Sequence, residues 1–148
     1  MIKIEYPLYQ PKIKKEKDKE FIFDEVRKQW ILLMPEEWVR QNFLQYLIYV
    51  KKYPASLIAV EKEIQLGELK KRADIVVYDS NTKPWLMVEC KEMNEPLNEK
   101  TLQQILRYHV GLPVTFIVIT NGSYCFGFEK RNNDFVEINY LPAYPSVF

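Results

Sequence analysis

Apolar and polar positions repeat with two different periods along the chain, and these periods predict where it is helical and where it is extended. Over residues 35–52, apolar residues recur at spacings of four and three, which predicts a helix with one apolar stripe. Pro35 suits the first helical position, and the helix should end at Lys51 or Lys52 because the chain ahead of Pro54 disfavours helix. The stripe consists of Val39, Phe43, Leu47 and Val50.

After Pro54 the period changes to two, which predicts strands. Asn98 is placed to cap a second helix over residues 99–110, and Gly111 to end it. A basic turn, Lys70-Lys71-Arg72, separates the first two strands, and turn-forming residues 79–84 separate the second from the third. The predicted strands cover residues 57–66, 73–78, 85–91, 114–119, 124–128 and 135–140.

The pattern before the first helix is weaker. Residues 12–20 are mostly charged, so we expect a solvated, partly mobile segment and treat residues 1–20 as an N-terminal extension of one domain over 1–148. Short extended pieces are predicted at 21–23 and 30–33, joined by a helical turn that Asp24 caps. The order of helix, three-strand meander, crossover helix and further strand predicts an α/β fold with a mixed sheet flanked by helices.

Composition excludes several classes of protein. Residues are 47% hydrophobic and 14% aromatic, which is incompatible with a disordered chain. The formal net charge is only +1, so any binding of nucleic acid must depend on a local patch or a metal ion. There is no signal peptide and no window long enough to span a bilayer, so we expect a cytoplasmic protein without membrane contact.

The cysteines and the histidine offer little chemistry. Cys90 and Cys125 are too few for a disulfide framework, and we expect Cys90, which lies in an apolar run, to be a reduced core thiol. His109 is the single histidine, so a zinc site or a histidine-dependent nucleophile lacks parts. We expect His109 at the helix surface or the edge of the core.

A group of charged residues on two predicted strands is more informative. If a hairpin over 73–91 is centred between Asn81 and Thr82, Asp74 lies opposite Glu89. Because side chains alternate between the faces of a strand, Glu89 and Lys91 share a face. We therefore expect Asp74, Glu89 and Lys91 to converge, although a slip of one residue would separate them.

Two adjacent carboxylates repel each other, and a hard divalent cation such as Mg²⁺ relieves that repulsion. Such an ion lowers the pKa of bound water and stabilises charge on a phosphate, and Lys91 is placed to orient the water or to neutralise that charge. The alternative is a structural one, because an isolated Glu-X-Lys on a strand is usually a cross-strand ion pair. The residues alone leave both interpretations open.

Five segments in order carry a resemblance to a known family. Together they resemble the N-terminal nuclease domain of the type I restriction enzyme R subunit, which belongs to the PD-(D/E)XK nuclease superfamily. The resemblance covers residues 21–128 and implies a restriction-endonuclease-like fold and a Mg²⁺-dependent DNA endonuclease, with Mn²⁺ as an alternative ion. The segments are PEEWVRQ (35–41), RADIVVY (72–78), VECK (88–91), QILRY (104–108) and TNG (120–122).

The resemblance also implies roles for individual residues. Asp74 matches the motif aspartate, and Glu89 and Lys91 match the (D/E)XK pair, which makes them catalytic residues with the two acids as metal ligands. Gln104 and Tyr108 match an element that supports the site or holds DNA, and they lie one helical turn apart.

Neighbouring charged residues are further candidates. An acid on the first helix often completes the metal site in this family, and Glu36 and Glu37 compete for that role. We favour Glu36, since it shares the apolar stripe, whereas Glu37 is equally well explained as a partner of the helix dipole. Lys71 and Arg72 either contact the phosphate backbone of DNA or form a solvated turn.

The sequence departs from the full R subunit in one respect. It contains no Gly-X-X-X-X-Gly-Lys-Ser/Thr loop, so we expect no ATP site and no DNA translocation. The expected partners are therefore DNA and the motor or specificity subunits of a restriction system. Cutting both strands calls for two sites, so a homodimer or docking to a partner is also expected. The alternative function is a DNA-binding or assembly domain that does not cleave.

Overall fold

The computed structural model describes residues 1–145. Within them the chain forms a six-stranded mixed sheet, a three-stranded antiparallel sheet and two α-helices, which confirms the predicted α/β fold. In chain order the elements are β1 (Ile13–Glu16), β2 (Lys19–Asp24), β3 (Gln29–Leu32), α1 (Pro35–Gln45), β4 (Ile58–Leu66), β5 (Leu69–Tyr78), β6 (Pro84–Cys90), α2 (Glu99–His109), β7 (Phe116–Thr120), β8 (Cys125–Arg131) and β9 (Asp134–Ile138).

The strands of the large sheet lie side by side in chain order, from β4 to β9. Neighbouring strands are antiparallel except β6 and β7, which are parallel and joined through α2. A parallel pair needs such a crossover, as the sequence predicts. All five residues of β7 are buried, as expected for a strand covered on both faces.

The two helices cover opposite faces of this sheet. The core on the α1 side contains Phe43 and Val88, and the core on the α2 side contains Leu106 and Met87. Helix α1 continues through a π-helical turn, Tyr46–Val50, and so ends close to its predicted end. Helix α2 begins at the predicted cap, where the side chain of Asn98 accepts a hydrogen bond from the Thr101 N–H.

The basic residues 70–72 do not form the predicted turn between the first two strands of the large sheet. They belong to β5, and the turn consists of Gly67 and Glu68, because β4 and β5 remain paired as far as Leu66 and Leu69. Gly67 has a φ of +62°, which glycine adopts at little cost. Lys71 and Arg72 therefore lie within a strand and project from opposite faces.

The N-terminal region is more structured than the sequence predicts. Residues 13–16 and 19–24 are strands of the small sheet, although most side chains of residues 12–20 are exposed as expected. Ile2 is buried, and its N–H donates to the Cys125 carbonyl at 2.7 Å. The Tyr6 hydroxyl donates to the Gly122 carbonyl at 2.8 Å, so the first residues pack against the large sheet.

Within residues 1–145, neither α-helix is long and apolar enough to cross a bilayer.

Candidate active site

The hairpin of β5 and β6 has the predicted register. Ile75, Val76 and Val77 lie opposite Val88, Met87 and Leu86, and the regular pairing ends at Ile75 and Val88, one position before Asp74 and Glu89. The backbone ladder ends there, and Oδ2 of Asp74 accepts a hydrogen bond from the Cys90 N–H at 2.7 Å. Asp74 thus lies where the two strands part, with its side chain bonded to the neighbouring backbone.

The regular alternation of side chains breaks at this point. Ala73 packs in the core on the α2 side and Ile75 in the core on the α1 side, although residues two positions apart on a regular strand share a face. On the neighbouring strand, Glu61 lies between the residues paired with Ala73 and Ile75 and has a φ of +53°. Non-glycine residues rarely adopt this conformation. The backbone distortion lies beside Asp74, which contacts α1.

Arg40 on α1 is the contact of Asp74 that sequence reasoning missed. Its Nη2 lies 2.9 Å from Oδ1 of Asp74, and its Nη1 lies 2.7 Å from Oε1 of Glu37. Burial alone would lower the pKa of the guanidinium, but the charges of Glu37 and Asp74 raise it above its ordinary value. Arg40 is therefore a permanently charged, buried partner of the candidate aspartate.

A chain of buried polar residues extends from Arg40 to the small sheet. Arg27 contacts Glu37 at 3.0 Å and Asp24 at 2.6 Å, and the Gln41 amide donates to Asp24 at 2.9 Å. Burial would raise the pKa of Asp24, but hydrogen bonds from the Arg27 N–H and guanidinium and from Gln41 lower it. This network joins the turn between β2 and β3 to Asp74.

The structure distinguishes Glu36 from Glu37. Glu37 lies in the first turn of α1, where it can act as the suggested partner of the helix dipole, and it is also buried within the network. Glu36 is half exposed, with Oε1 3.6 Å from Arg40 Nη2. Burial and then the charge of Asp74 raise the pKa of Glu36, while Arg40 and Lys91 act to lower it. Glu36 thus shares the electrostatic environment of Asp74 and Lys91.

Glu89 lies between the side chains of Lys91 and His109. Lys91 Nζ is 3.7 Å from Oε1 of Glu89, and His109 Nε2 is 3.7 Å from Oε2. His109 is 1% exposed, so it is not at the helix surface, and its Nδ1 has no hydrogen-bond partner within residues 1–145. Leu102, Leu106 and His109 are the buried residues of α2, and their spacings of four and three were the available signal.

The carboxylates repel one another. Burial and then the charge of Glu89 raise the pKa of Asp74, against the opposing effects of the Cys90 N–H and Arg40. The oxygen donors of Asp74, Glu89 and Glu36 suit a hard cation such as Mg²⁺. In the described part of the chain, however, no three His, Cys, Asp or Glu side chains are already arranged as a metal-binding cluster.

The remaining candidates divide into two groups. Lys71 Nζ lies 3.7 Å from the centre of the Tyr108 ring, and Tyr108 is exposed and adjacent to His109. Arg72 instead faces Glu61, with Nη2 3.1 Å from Oε2, and Gln104 is exposed without a side-chain hydrogen bond to any described residue. The structure therefore brings Lys71 and Tyr108 together but not Arg72 or Gln104.

Cys90 is free and buried, as predicted, and Cys125 is also free and buried. Burial raises the pKa of the Cys90 thiol well above its ordinary value and that of Cys125 to about 12. Neither thiol is therefore suited to act as a nucleophile.

A profile of the family described as type I restriction enzyme R protein N terminus matches residues 35–142, well over half of the chain. The match begins at the first residue of α1 and includes α2 and the whole large sheet, but not β1–β3. No curated protein matches the chain. The family match confirms the resemblance carried by the five sequence segments.

Proposed function

Because the chain belongs to the family of type I restriction enzyme R protein N-terminal domains, we propose that it is a Mg²⁺-dependent DNA endonuclease module that hydrolyses phosphodiester bonds. The main support is the grouping of charges where β5 and β6 part. The Glu89 charge raises the pKa of Asp74, and Lys91 lies 3.7 Å from Glu89. Clustered acids whose pKa values are shifted by burial and by one another are typical of functional sites.

In this proposal Asp74 and Glu89 hold the ion, and Glu36 completes the site. A bound Mg²⁺ or Mn²⁺ supplies a water of lowered pKa and stabilises negative charge on the phosphate. Lys91 is a compact cation that orients the attacking water or neutralises charge on the phosphate. Arg40 holds Asp74 in place through its hydrogen bond to Oδ1.

The surroundings of Glu89 offer groups for binding DNA. Lys71 and Tyr108 lie together beside His109, so they form one small basic and aromatic surface that can contact a phosphate and a base or sugar. Arg72 pairs with Glu61 at an exposed position, and such a surface pair exchanges readily for a phosphate. Gln104 supports the site only if its exposed side chain turns inward when DNA binds.

We further propose that other subunits of a restriction system supply targeting and movement along DNA. The chain contains no phosphate-binding loop that would serve an ATP-driven motor. A homodimer, or docking to such a subunit, would supply the second site needed to cut both strands.

One observation favours the alternative of a DNA-binding or assembly domain that does not cleave. Both oxygens of Asp74 accept hydrogen bonds, one from Arg40 and one from the Cys90 N–H. A carboxylate held in this way can act as a structural anchor without any metal. Each oxygen nevertheless retains a second lone pair for a cation, so these bonds are compatible with both functions.

A plasmid-nicking assay with Mg²⁺ separates the two functions. We expect the natural chain to nick the plasmid, Lys91→Ala to be at least about a hundredfold slower, and chelation of the metal to abolish nicking. Lys83→Ala is the matched control, because Lys83 is an exposed lysine in the β5–β6 turn, and it should cut like the natural chain. Equal nicking by the natural chain and Lys91→Ala would reject the nuclease. Binding of DNA without nicking would support the alternative.

A further inference from the structure

The outward face of the small sheet carries aromatic and basic side chains in adjacent rows. Lys14, Phe21 and Leu32 lie opposite one another across the three strands, and Phe23 lies opposite Trp30 in the neighbouring row. Side chains two residues apart on a strand share a face, so all five project from the same side.

The other face of the small sheet is anchored to the rest of the protein. Ile22 and Asp24 project from it and are both 0% exposed. On the outward face Trp30 and Leu32 are each 39% exposed, so the chain presents large apolar side chains to solvent. An exposed aromatic patch on an anchored sheet is typical of an interaction surface. It lies outside the residues that match the family.

Two lysines lie over these rings. Lys14 Nζ is 4.5 Å from the centre of a Trp30 ring, and Lys12 Nζ is 5.7 Å from the centre of the Phe23 ring. The acid on this face, Glu16, contacts Lys14 at 3.3 Å in an exposed pair. Ammonium groups bind phosphates, and exposed aromatic rings stack on bases, which is how proteins bind single strands without regard to sequence.

We propose that this outward face, formed by Lys12, Lys14, Phe21, Phe23 and Trp30, binds single-stranded DNA. A base stacks on Trp30 in place of the Lys14 ammonium, which moves aside and contacts a phosphate. Duplex DNA fits the surface less well, because its base faces are hidden in the stack and cannot lie on the Trp30 ring.

The surface is connected to the candidate active site. The row of Phe23 and Trp30 lies next to the β2–β3 turn, whose Arg27 contacts Glu37 and Glu61. Through Glu37 and Arg40 this turn is in contact with Asp74. The inference goes beyond the proposed cleavage and does not depend on it.

Binding of a fluorescent oligo-dT of about twenty nucleotides tests the inference. The assay contains a metal chelator, so no cleavage takes place. The whole chain is compared with Trp30→Ala, Trp30→Phe and the control Tyr140→Ala, which removes an exposed aromatic elsewhere. We expect Trp30→Ala to bind about tenfold more weakly, and Trp30→Phe and Tyr140→Ala to bind within about threefold of the natural chain. DNA should quench tryptophan fluorescence in the natural chain, and less so in Trp30→Phe. Lys14→Ala should reduce the salt dependence by about one phosphate contact.

Three results would overturn the inference: equal affinities of Trp30→Ala and the natural chain, tighter binding of duplex than of single strands, or no binding. Circular dichroism of each variant identifies loss of fold. If Trp30→Ala unfolds, unchanged tryptophan quenching in Trp30→Phe or an unchanged salt dependence in Lys14→Ala would overturn the inference instead. The oligo-dT assay contains no metal, so its result is independent of the plasmid-nicking assay with Mg²⁺. A chain that binds oligo-dT but does not nick the plasmid would refute the proposed nuclease activity and still support the binding surface. A chain that nicks the plasmid but does not bind oligo-dT would support the nuclease activity and refute the binding surface.

Discussion

Nη2 of Arg40 lies 2.9 Å from Oδ1 of Asp74, so a buried guanidinium from α1 holds the aspartate proposed to bind metal. The same side chain contacts Glu37, which links Asp74 to the buried network around Asp24. Arg40 thus balances two acids that would otherwise be buried together. Removing Arg40 should therefore upset the charge balance of this network.

Arg40→Ala should strongly destabilise the fold. It leaves Asp74 without its cation and Glu37 with Arg27 alone, and breaking a buried ion pair on one side costs about 3–5 kcal/mol. Arg131→Ala is the matched control, because Arg131 makes a 2.6 Å contact with Glu129 at an exposed position and should contribute less than about 1 kcal/mol. Urea denaturation measures both. Similar losses for the two variants would show that the network does not stabilise the fold.

Asp74→Asn should abolish stabilisation by Mg²⁺. If Asp74 is a ligand, Mg²⁺ at a hundred times its dissociation constant raises the free energy of unfolding of the natural chain by about 2.7 kcal/mol. The melting temperature of the natural chain rises as a result. The amide variant should show no such rise, whereas Glu63→Gln, which alters an exposed acid, should respond normally. A thermal shift titration reports the result. An unchanged response in Asp74→Asn would remove this residue from the metal site.

His109→Leu should reduce cleavage and leave the stability of the fold nearly unchanged. Leucine has a similar volume, and the change removes an Nδ1 that has no partner among the described residues, so the free energy of unfolding should change by less than about 1.5 kcal/mol. It also removes the group 3.7 Å from Oε2 of Glu89, and loss of a residue that positions a ligand typically costs ten- to a hundredfold in activity. Full nicking activity in this variant would show that His109 only fills the core.

Asp24→Asn should be destabilising in a manner that depends on pH. Hydrogen bonds from Arg27 and Gln41 outweigh burial and lower the pKa of Asp24 below its unfolded value of about 3.9. Its ionised form therefore stabilises the fold fully above that value, and this stabilisation disappears as pH falls through the lowered folded pKa. Urea denaturation should show a difference of about 3 kcal/mol from the natural chain at pH 7, narrowing below pH 4. A constant difference would contradict the assigned direction.

The hairpin that carries the candidate site was predictable because its information is local. The turn over residues 79–84 is short and rich in turn formers, which places its centre near Asn81 and Thr82 and gives the observed pairing of Ile75 with Val88, next to Asp74 and Glu89. The crossover helix was predictable for a similar reason, since Asn98 caps it and its stripe is regular.

Contacts between distant elements were not predictable from the pattern. Arg40 meets Asp74 only because α1 crosses the sheet at the distorted part of β5, 34 residues further along the chain. Alternation alone would not reveal that Ala73 and Ile75 pack on opposite faces. Strand β1 was missed because most of its residues are charged, whereas the extended piece predicted at 21–23 lies within β2.

The burial of both thiols offers a way to observe the site opening in solution. Cys90 follows Glu89 directly, and its backbone N–H holds Asp74, yet its side chain is inaccessible. Alkylating reagents can therefore modify Cys90 only when β6 separates from its neighbours, and the rate of modification measures how often that happens. DNA or a cation that rigidifies the carboxylates would slow the reaction at Cys90 more than at Cys125, so one mass spectrum would report local opening and global unfolding separately.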